Sequence, residues 1–262
     1  MKTLKLLHID TPSKLRLFQD DILKLFFQCF NFHLDIQLWE WAYIKNPLGN
    51  AIVNLAILDD EVVGHYAFIP IKTTKYRTLL SMTTMVSQQA RKYNVFLELA
   101  ESSYLFAKQH DFDIIIGFPN HKSAIVHEKI LGWYLKKTYV AQCDAEIFTN
   151  YSKKNHYPKD HLCMLDIDDQ DYIDWRLSKP NTQYLKSNNQ IYKIFNQNEL
   201  DLLTMRDETL PSMASTKKIN FLTQSLDLCK FKKFDYPFAY KVLDKKCIQK
   251  DFHIELLMSD VF

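Results

Sequence analysis

The sequence predicts an α/β protein of two lobes, each a mixed central sheet flanked by helices, with the second lobe a degenerate copy of the first. Three observations predict it. Helical and strand-length apolar periodicities alternate through the first half. The same order of elements recurs, less regularly, in the second. A tryptophan-bearing helix that must stop before a proline stands at matching places in both, in Trp41–Pro47 and Trp175–Pro180. The division falls near residue 145, giving lobes of residues 1–145 and 146–262.

The elements follow in order. Leu15, Phe18, Ile22, Leu25, Phe26 and Cys29 keep a helical period behind the capping run Thr11-Pro12-Ser13. Asn50 to Leu58 and Val62 to Pro70 read as a hairpin around the acidic turn Asp59-Asp60-Glu61, and Tyr76 to Val86 completes a three-strand meander. After Arg91 the spacing turns helical, with Phe96, Leu99, Ala100, Tyr104 and Ala107 on one face. Phe112 to Phe118 is a strand apolar on both faces, followed by a helix from Ser123 to Leu131 and a strand from Trp133 to Val140. In the second half, strands are expected near Leu162–Ile167, Gln190–Asn196, Leu200–Met205, Pro237–Leu243 and Phe252–Met258. Helices are expected near Gln170–Leu177 and Ser215–Leu228.

Composition narrows the function. A hydrophobic fraction of 47% with 24% charged residues is that of a chain with a packed core. Apolar runs such as Ala51–Leu58 are strand-length and far short of a membrane span, and the N-terminus has no secretory signal, so the expected home is the cytoplasm. A net charge of +2 gives no footprint for a nucleic-acid partner. The 5 cysteines are odd in number and widely spaced, as reduced, packed residues are. With only 4 glycines, all before residue 133, neither a dinucleotide fingerprint nor a Walker loop can be written, and no HExxH or paired CxxC spacing supports a metal.

Two segments carry candidate chemistry. Thr83 to Phe96 joins a strand to a helix N-terminus, where free main-chain N–H groups and the helix dipole favour a phosphate, with Arg91 and Lys92 adding charge. Gly117-Phe118-Pro119-Asn120-His121-Lys122-Ser123 lies beyond the carboxyl end of the most buried strand, where open sheets gather ligands. There Asn120 and Ser123 serve either as helix caps or as ligand contacts. His65, on the strand after Gly64, is a candidate proton acceptor, with Tyr66 on the opposite face and Glu101 a weaker base. Trp39, Trp41 and Tyr43 form an aromatic cluster suited either to packing or to stacking a sugar or base.

The runs "TTMVSQQARKYNVFLELAE" and "GFPNHKSAIVHEKILGW" resemble the acyl-CoA-binding core of the GNAT superfamily. "WEWAYIKNPLG" and the closing "LLMSDVF" are similar to the ends of its two-lobed members, so the resemblance spans nearly the whole chain. It implies tandem GNAT-like folds and N-acyl transfer from acetyl-CoA or a short-chain acyl-CoA, by direct attack of an amine on the thioester and without a metal. The nearest subgroup acylates nucleotide-linked amino-dideoxy sugars. Acyltransfer to an aminoglycoside, polyamine or amino acid, and non-catalytic binding of CoA, are the alternatives. The resemblance places CoA against Met85, Val86, Ser87, Arg91, Lys92, Tyr93, Asn94, Val95, Phe96, Asn120 and Ser123. Asn94 and Phe96 stand where the family has small residues. His127 lies close to the family's thiolate-protonating tyrosine, and Trp41, Tyr66, Phe118 and Asn120 are the expected acceptor contacts. Such a protein is expected to be a monomer or weak dimer acting on a small-molecule amine, with no nucleic-acid or membrane partner.

Overall fold

The structure, a computed structural model, describes residues 4–154, 162–187, 190–206, 217–244 and 251–259. β1 (Leu4–Ile9) leads into α1 (Pro12–Leu17), α2 (Gln19–Phe30) and α3 (Ile36–Tyr43). The meander β2 (Ile52–Leu58), β3 (Glu61–Lys72) and β4 (Arg77–Val86) follows. A 3₁₀ turn over Gln88–Tyr93 enters α4 (Val95–Gln109), then come β5 (Ile114–Gly117), α5 (His121–Lys129), β6 (Tyr134–Lys136) and β7 (Tyr139–Asp144). The second half holds α6 (Ala145–Lys154), α7 (Gln170–Leu177), β8 (Tyr184–Ser187), β9 (Gln190–Asn196), β10 (Glu199–Met205) and β11 (Lys218–Thr223). It ends with β12 (Lys232–Asp235), β13 (Phe238–Val242) and 3₁₀ turns at Leu226–Phe231 and Leu256–Met258.

The strands form a seven-stranded sheet, β1-β2-β3-β4-β5-β13-β6, and a six-stranded sheet, β12-β7-β11-β10-β9-β8. Each contains one parallel pair, β4 with β5 and β10 with β11, among antiparallel neighbours. Read from β2 and from β8, the two sheets match strand for strand, as duplication requires. The strand next to last in each comes from the other half of the chain. β7 precedes residue 145 yet pairs with β11 and β12 in the second sheet, and β13 enters the first sheet between β5 and β6.

Local chemistry explains most boundaries. Asp35, Asn120 and Asp169 cap α3, α5 and α7 by accepting the main-chain N–H of Gln37, Ser123 and Tyr172 at 2.7, 2.9 and 3.0 Å. Asn31 ends α2 in the left-handed region at φ 60°. The helical period from Leu15 to Cys29 is broken at Phe18, so α1 and α2 are separate.

Four expected elements are corrected. The helix expected over Ser215–Leu228 is not an α-helix in its described residues, 217–228: Lys218–Thr223 forms β11, because the slot between β10 and β7 supplies ladder partners on both sides. The run Trp133–Val140 divides into β6 and the start of β7, which belong to different sheets. Leu162–Ile167 and Phe252–Met258 make only isolated bridges, Thr73 with Leu165 and Cys163 with Phe252, before the last 3₁₀ turn. Cys143 and Cys163 are buried, Cys29 is half-buried and Cys229 exposed, while Cys247 lies outside the described residues.

The main core lies between the lobes, where α2, α3 and α7 pack with Ile191 and Leu203 of the second sheet. Trp41 and Trp175 stack there at 4.9 Å, and each indole N–H donates to the other's main-chain carbonyl, at 2.8 and 3.0 Å. The repeated tryptophan is therefore one reciprocal contact. A second core sits under α4, and a third under α6.

β10 parts from β11 beyond Asp201–Asn220, and the C-terminal segment His253–Leu256 fills the gap, leaving ≈ 40 Å³. Glu255 seals it, accepting from Thr204 and bonding the Arg206 guanidinium, with one contact at 2.9 Å. Burial alone raises the Glu255 carboxyl, but Arg206 and His253 bring it down to about 2. Its stabilisation is therefore complete above its usual 4.5 and is lost as pH falls from there toward about 2. Glu255→Gln, which leaves Arg206 unneutralised in the interior, should cost about 3 kcal/mol in urea unfolding at pH 7. The same variant should show a shallower loss of stability between pH 5 and 3 than the parent.

Candidate functional site

β4 and β5 pair through Thr78–Ile114, Leu79–Ile115 and Leu80–Ile116, and then separate. The cause lies on the other edge of β4. Ala67 faces Met82 and His65 faces Met85, so Thr83 and Thr84 together stand opposite Tyr66 alone. Such a bulge bends its strand and leaves a residue out of the ladder. Thr83 adopts φ 51°, rare for a β-branched residue.

The gap opens into a cleft of ≈ 600 Å³, a volume usual for small-molecule sites. Ser81, Met82, Thr83, Thr84 and Val86 of β4 form one wall. Gly117 to Asn120 form the other, with α5 supplying Lys122, Ser123, Val126 and His127. Phe30, Arg91, Phe96 and Trp133 complete it. Two helix N-termini and two cations border the cleft, which makes it receptive to an anion. α4 begins at Asn94 in the left-handed region, φ 56°, with no side-chain cap.

His127 is the titratable imidazole in the wall. Its Nδ1 lies 2.8 Å from the Ser123 carbonyl, which requires the proton there and leaves Nε2 an acceptor. Burial lowers its pKa below 6.5, against the carbonyl bond that raises it, so the ring is neutral at pH 7. Trp133 stands edge-on to it at 4.9 Å and donates its indole N–H to the Tyr104 hydroxyl at 2.8 Å.

Of the residues singled out in the sequence, Val86, Arg91, Phe96, Phe118, Asn120, Ser123 and His127 come together in this cleft. Arg91 also donates to the Val86 carbonyl at 3.4 Å. Met85 and Val95 point into the cores instead, and buried Ser87 donates its main-chain N–H to Val63 at 2.8 Å. Asn94 and Lys92 are exposed outside the lining, and only the backbone of Tyr93 is described. Trp41 is committed to Trp175. Tyr66 lies under α4, bonded to Tyr104 and accepting from Ser81, both at 3.3 Å, and reaches the cleft only through Ser81. His65 is fully buried, bonds the Thr83 carbonyl through Nδ1 at 2.7 Å and does not line the cleft.

Phe30, Val126 and Trp133 were not singled out in the sequence, and Lys122 was named only as part of the run Gly117 to Ser123. Only Lys122 carried a signal, its place in the capped turn after β5. Phe30 arrives from the far end of α2, which no local pattern announces. Among the described residues, no three His, Cys, Asp or Glu side chains gather as a metal site, and no described helix is long and apolar enough to cross a membrane.

The overall architecture is shared with solved structures of low sequence identity. No protein-family profile and no curated protein matches the sequence. A GCN5-related N-acetyltransferase from Kribbella flavida superposes with a TM-score of 0.61 at 12% identity, over 92% of this chain and 72% of that one. One from Anabaena variabilis gives 0.56 at 11% identity, over 92% and 73%. Eis1 from Mycobacterium abscessus gives 0.52 at 9%, over 92% and 74%. These similarities establish the fold.

Gly64 sets how closely α4 approaches the sheet beside the cleft. A methyl group there would meet Leu99 Cδ1 at 2.8 Å and Val95 Cγ1 at 2.9 Å. Gly64→Ala should therefore cost about 1–3 kcal/mol by overpacking. Chemical denaturation of the purified variant measures it.

Proposed function

We propose that this GNAT-fold chain is an acyl-CoA-dependent N-acyltransferase whose donor lies in the cleft between β4 and β5. The observation that carries the reading is the parting of those strands beside two helix N-termini, Arg91 and Lys122. Among the described residues, β4 past Leu80 has no strand partner on that side, so it offers main-chain groups to an extended ligand such as pantetheine. The residues fit an anionic, extended donor, with Phe96 narrowing the mouth where smaller side chains would leave more room.

A bound thioester would supply an activated carbonyl, on which amine attack makes a C–N bond and breaks the C–S bond. Arg91, Lys122 and the α4 N-terminus would hold the donor's phosphates. His127 Nε2 would take the proton of the attacking amine, and the resulting imidazolium would pass it to the departing sulfur. Main-chain N–H groups at the Thr83 bulge are the kind of donor a developing oxyanion needs. Trp133, Val126 and Phe118 would exclude water around the reacting centre.

The acceptor follows from the sequence resemblance. An amino sugar linked to a nucleotide, such as a dTDP-linked 3-amino-3,6-dideoxyhexose, fits a cleft whose outer wall is aromatic, through Phe30 and the Phe118–Tyr236 stack at 5.2 Å. Other small amines are the competing acceptors. The acyl group would be acetyl or short-chain. A non-catalytic CoA-binding role draws on Asn94 and Phe96 in the phosphate turn, and saturable CoA binding without thiol release from any amine would support it.

Because the C-terminal segment fills the second sheet's gap, calorimetric titration with CoA should show one site per chain. Arg91→Ala combined with Lys122→Ala should weaken it about tenfold or more. Unchanged affinity would remove the cleft from the reading. The neutral form of His127 grows as pH rises, so the acid limb of kcat should inflect below 6.5. His127→Gln should abolish that limb and lower kcat by about 10²-fold, measured as thiol release.

A further inference from the structure

We infer that His65 and Tyr43 act together as a clamp that holds the β4 bulge, and through it the cleft, in its open form. Both are positioning residues rather than contacts of the ligand. The acyl-CoA reading enters only as the identity of what the cleft binds.

The bulge needs an external hold. Thr83 sits at φ 51°, where a β-branched side chain costs about 1–3 kcal/mol. A regular ladder between β3 and β4 would relieve that strain and would also return Met82, Thr83 and Thr84 toward β5. A hydrogen bond, and the ring that braces its donor, oppose the relaxation. His65 Nδ1–H donates to the Thr83 carbonyl at 2.7 Å from β3. The Tyr43 ring, at the end of α3, braces the His65 imidazole that makes this bond. The two rings stand edge to face at 6.1 Å, so each fixes the other.

The choice of histidine is informative because it is costly. His65 is fully buried, and its Nε2 has no hydrogen-bond partner among the described residues. A buried nitrogen without a partner costs about 1–3 kcal/mol, which an isosteric leucine would avoid. The bond that Nδ1 makes to the strained carbonyl is the visible return. Burial also depresses the imidazole to about 4, although its main-chain bonds oppose this, so the ring stays neutral and the bond persists through the working pH range.

Position links the clamp to the cleft. β4 and β5 last pair at Leu80–Ile116, and the bulge begins three residues further along. Met82, Thr83 and Thr84 are cleft wall, whereas His65 and Tyr43 are not. Releasing Thr83 would move the wall without removing any group that meets the ligand.

Three variants test the clamp: His65→Leu, His65→Asn and Tyr43→Leu. Each is followed by CoA titration, thermal melting and hydrogen-exchange mass spectrometry of peptides spanning residues 79–87. Leucine fills the site without a donor, and asparagine restores an N–H near the Nδ1 position. The expected result for His65→Leu is a melting temperature within a few degrees of the parent, CoA affinity reduced about tenfold, and altered exchange confined to the β4 peptides. His65→Asn should recover most of the affinity, and Tyr43→Leu, which removes the bracing ring, should fall between. Parental affinity and exchange in His65→Leu would overturn the clamp. So would a loss of protection throughout the first sheet, the mark of a general structural role. Should the parent not bind CoA, the acyl-CoA reading fails, and the exchange pattern alone still decides the clamp.

Discussion

The parting of β4 from β5 after Leu80–Ile116 governs everything else in this molecule. A sheet normally satisfies its main-chain groups by continuous pairing, and an interruption in its middle is expensive unless something else answers those groups. Here the interruption is built in by the two-for-one register opposite Tyr66. Around it the surrounding elements form a lined cleft rather than a solvent-filled crack. α5 begins under an asparagine cap on one bank, α4 begins uncapped near the other, and aromatic rings from α2 and from the segment before β6 close the ends.

The second sheet shows the alternative outcome of the same geometry. β10 and β11 part in the same way, but the chain's own C-terminal segment occupies the space, tied by Glu255 to Arg206 and Thr204. The gap between β4 and β5 thus keeps ≈ 600 Å³ and that between β10 and β11 ≈ 40 Å³. The absence of glycine after residue 132 agrees with this divergence, since glycine is the residue that lets a backbone approach a ligand closely.

Sequence patterns recovered the elements whose signals are local. Gln170–Leu177 and Gln190–Asn196 lie where periodicity and capping put them, and the capped turn after β5 was visible as Asn120 and Ser123. The phosphate-type junction was legible as a strand-to-helix passage, although the helix starts at Val95, after a 3₁₀ turn. What failed to show was whatever depends on distant partners. Lys218–Thr223 has ambiguous short-range spacing and becomes a strand because β10 and β7 flank it. Sheet membership of β7 and β13 is likewise invisible, since a short apolar strand carries no record of which edge it joins. His65 and Trp41 illustrate the same limit for sites: residue type marked them, but burial against Thr83 and Trp175 was set by tertiary packing.

The exchange of β7 and β13 has a consequence for how the chain is made. At synthesis of residue 145, the first sheet still lacks the strand that will lie between β5 and β6, because that strand, Phe238–Val242, lies far downstream. Until then the flank of β5 is an unpaired edge, open to pairing with other chains. Such long-range closure slows folding and lengthens exposure to misassembly. Each half therefore depends on the other for a strand, and neither sheet is complete without both.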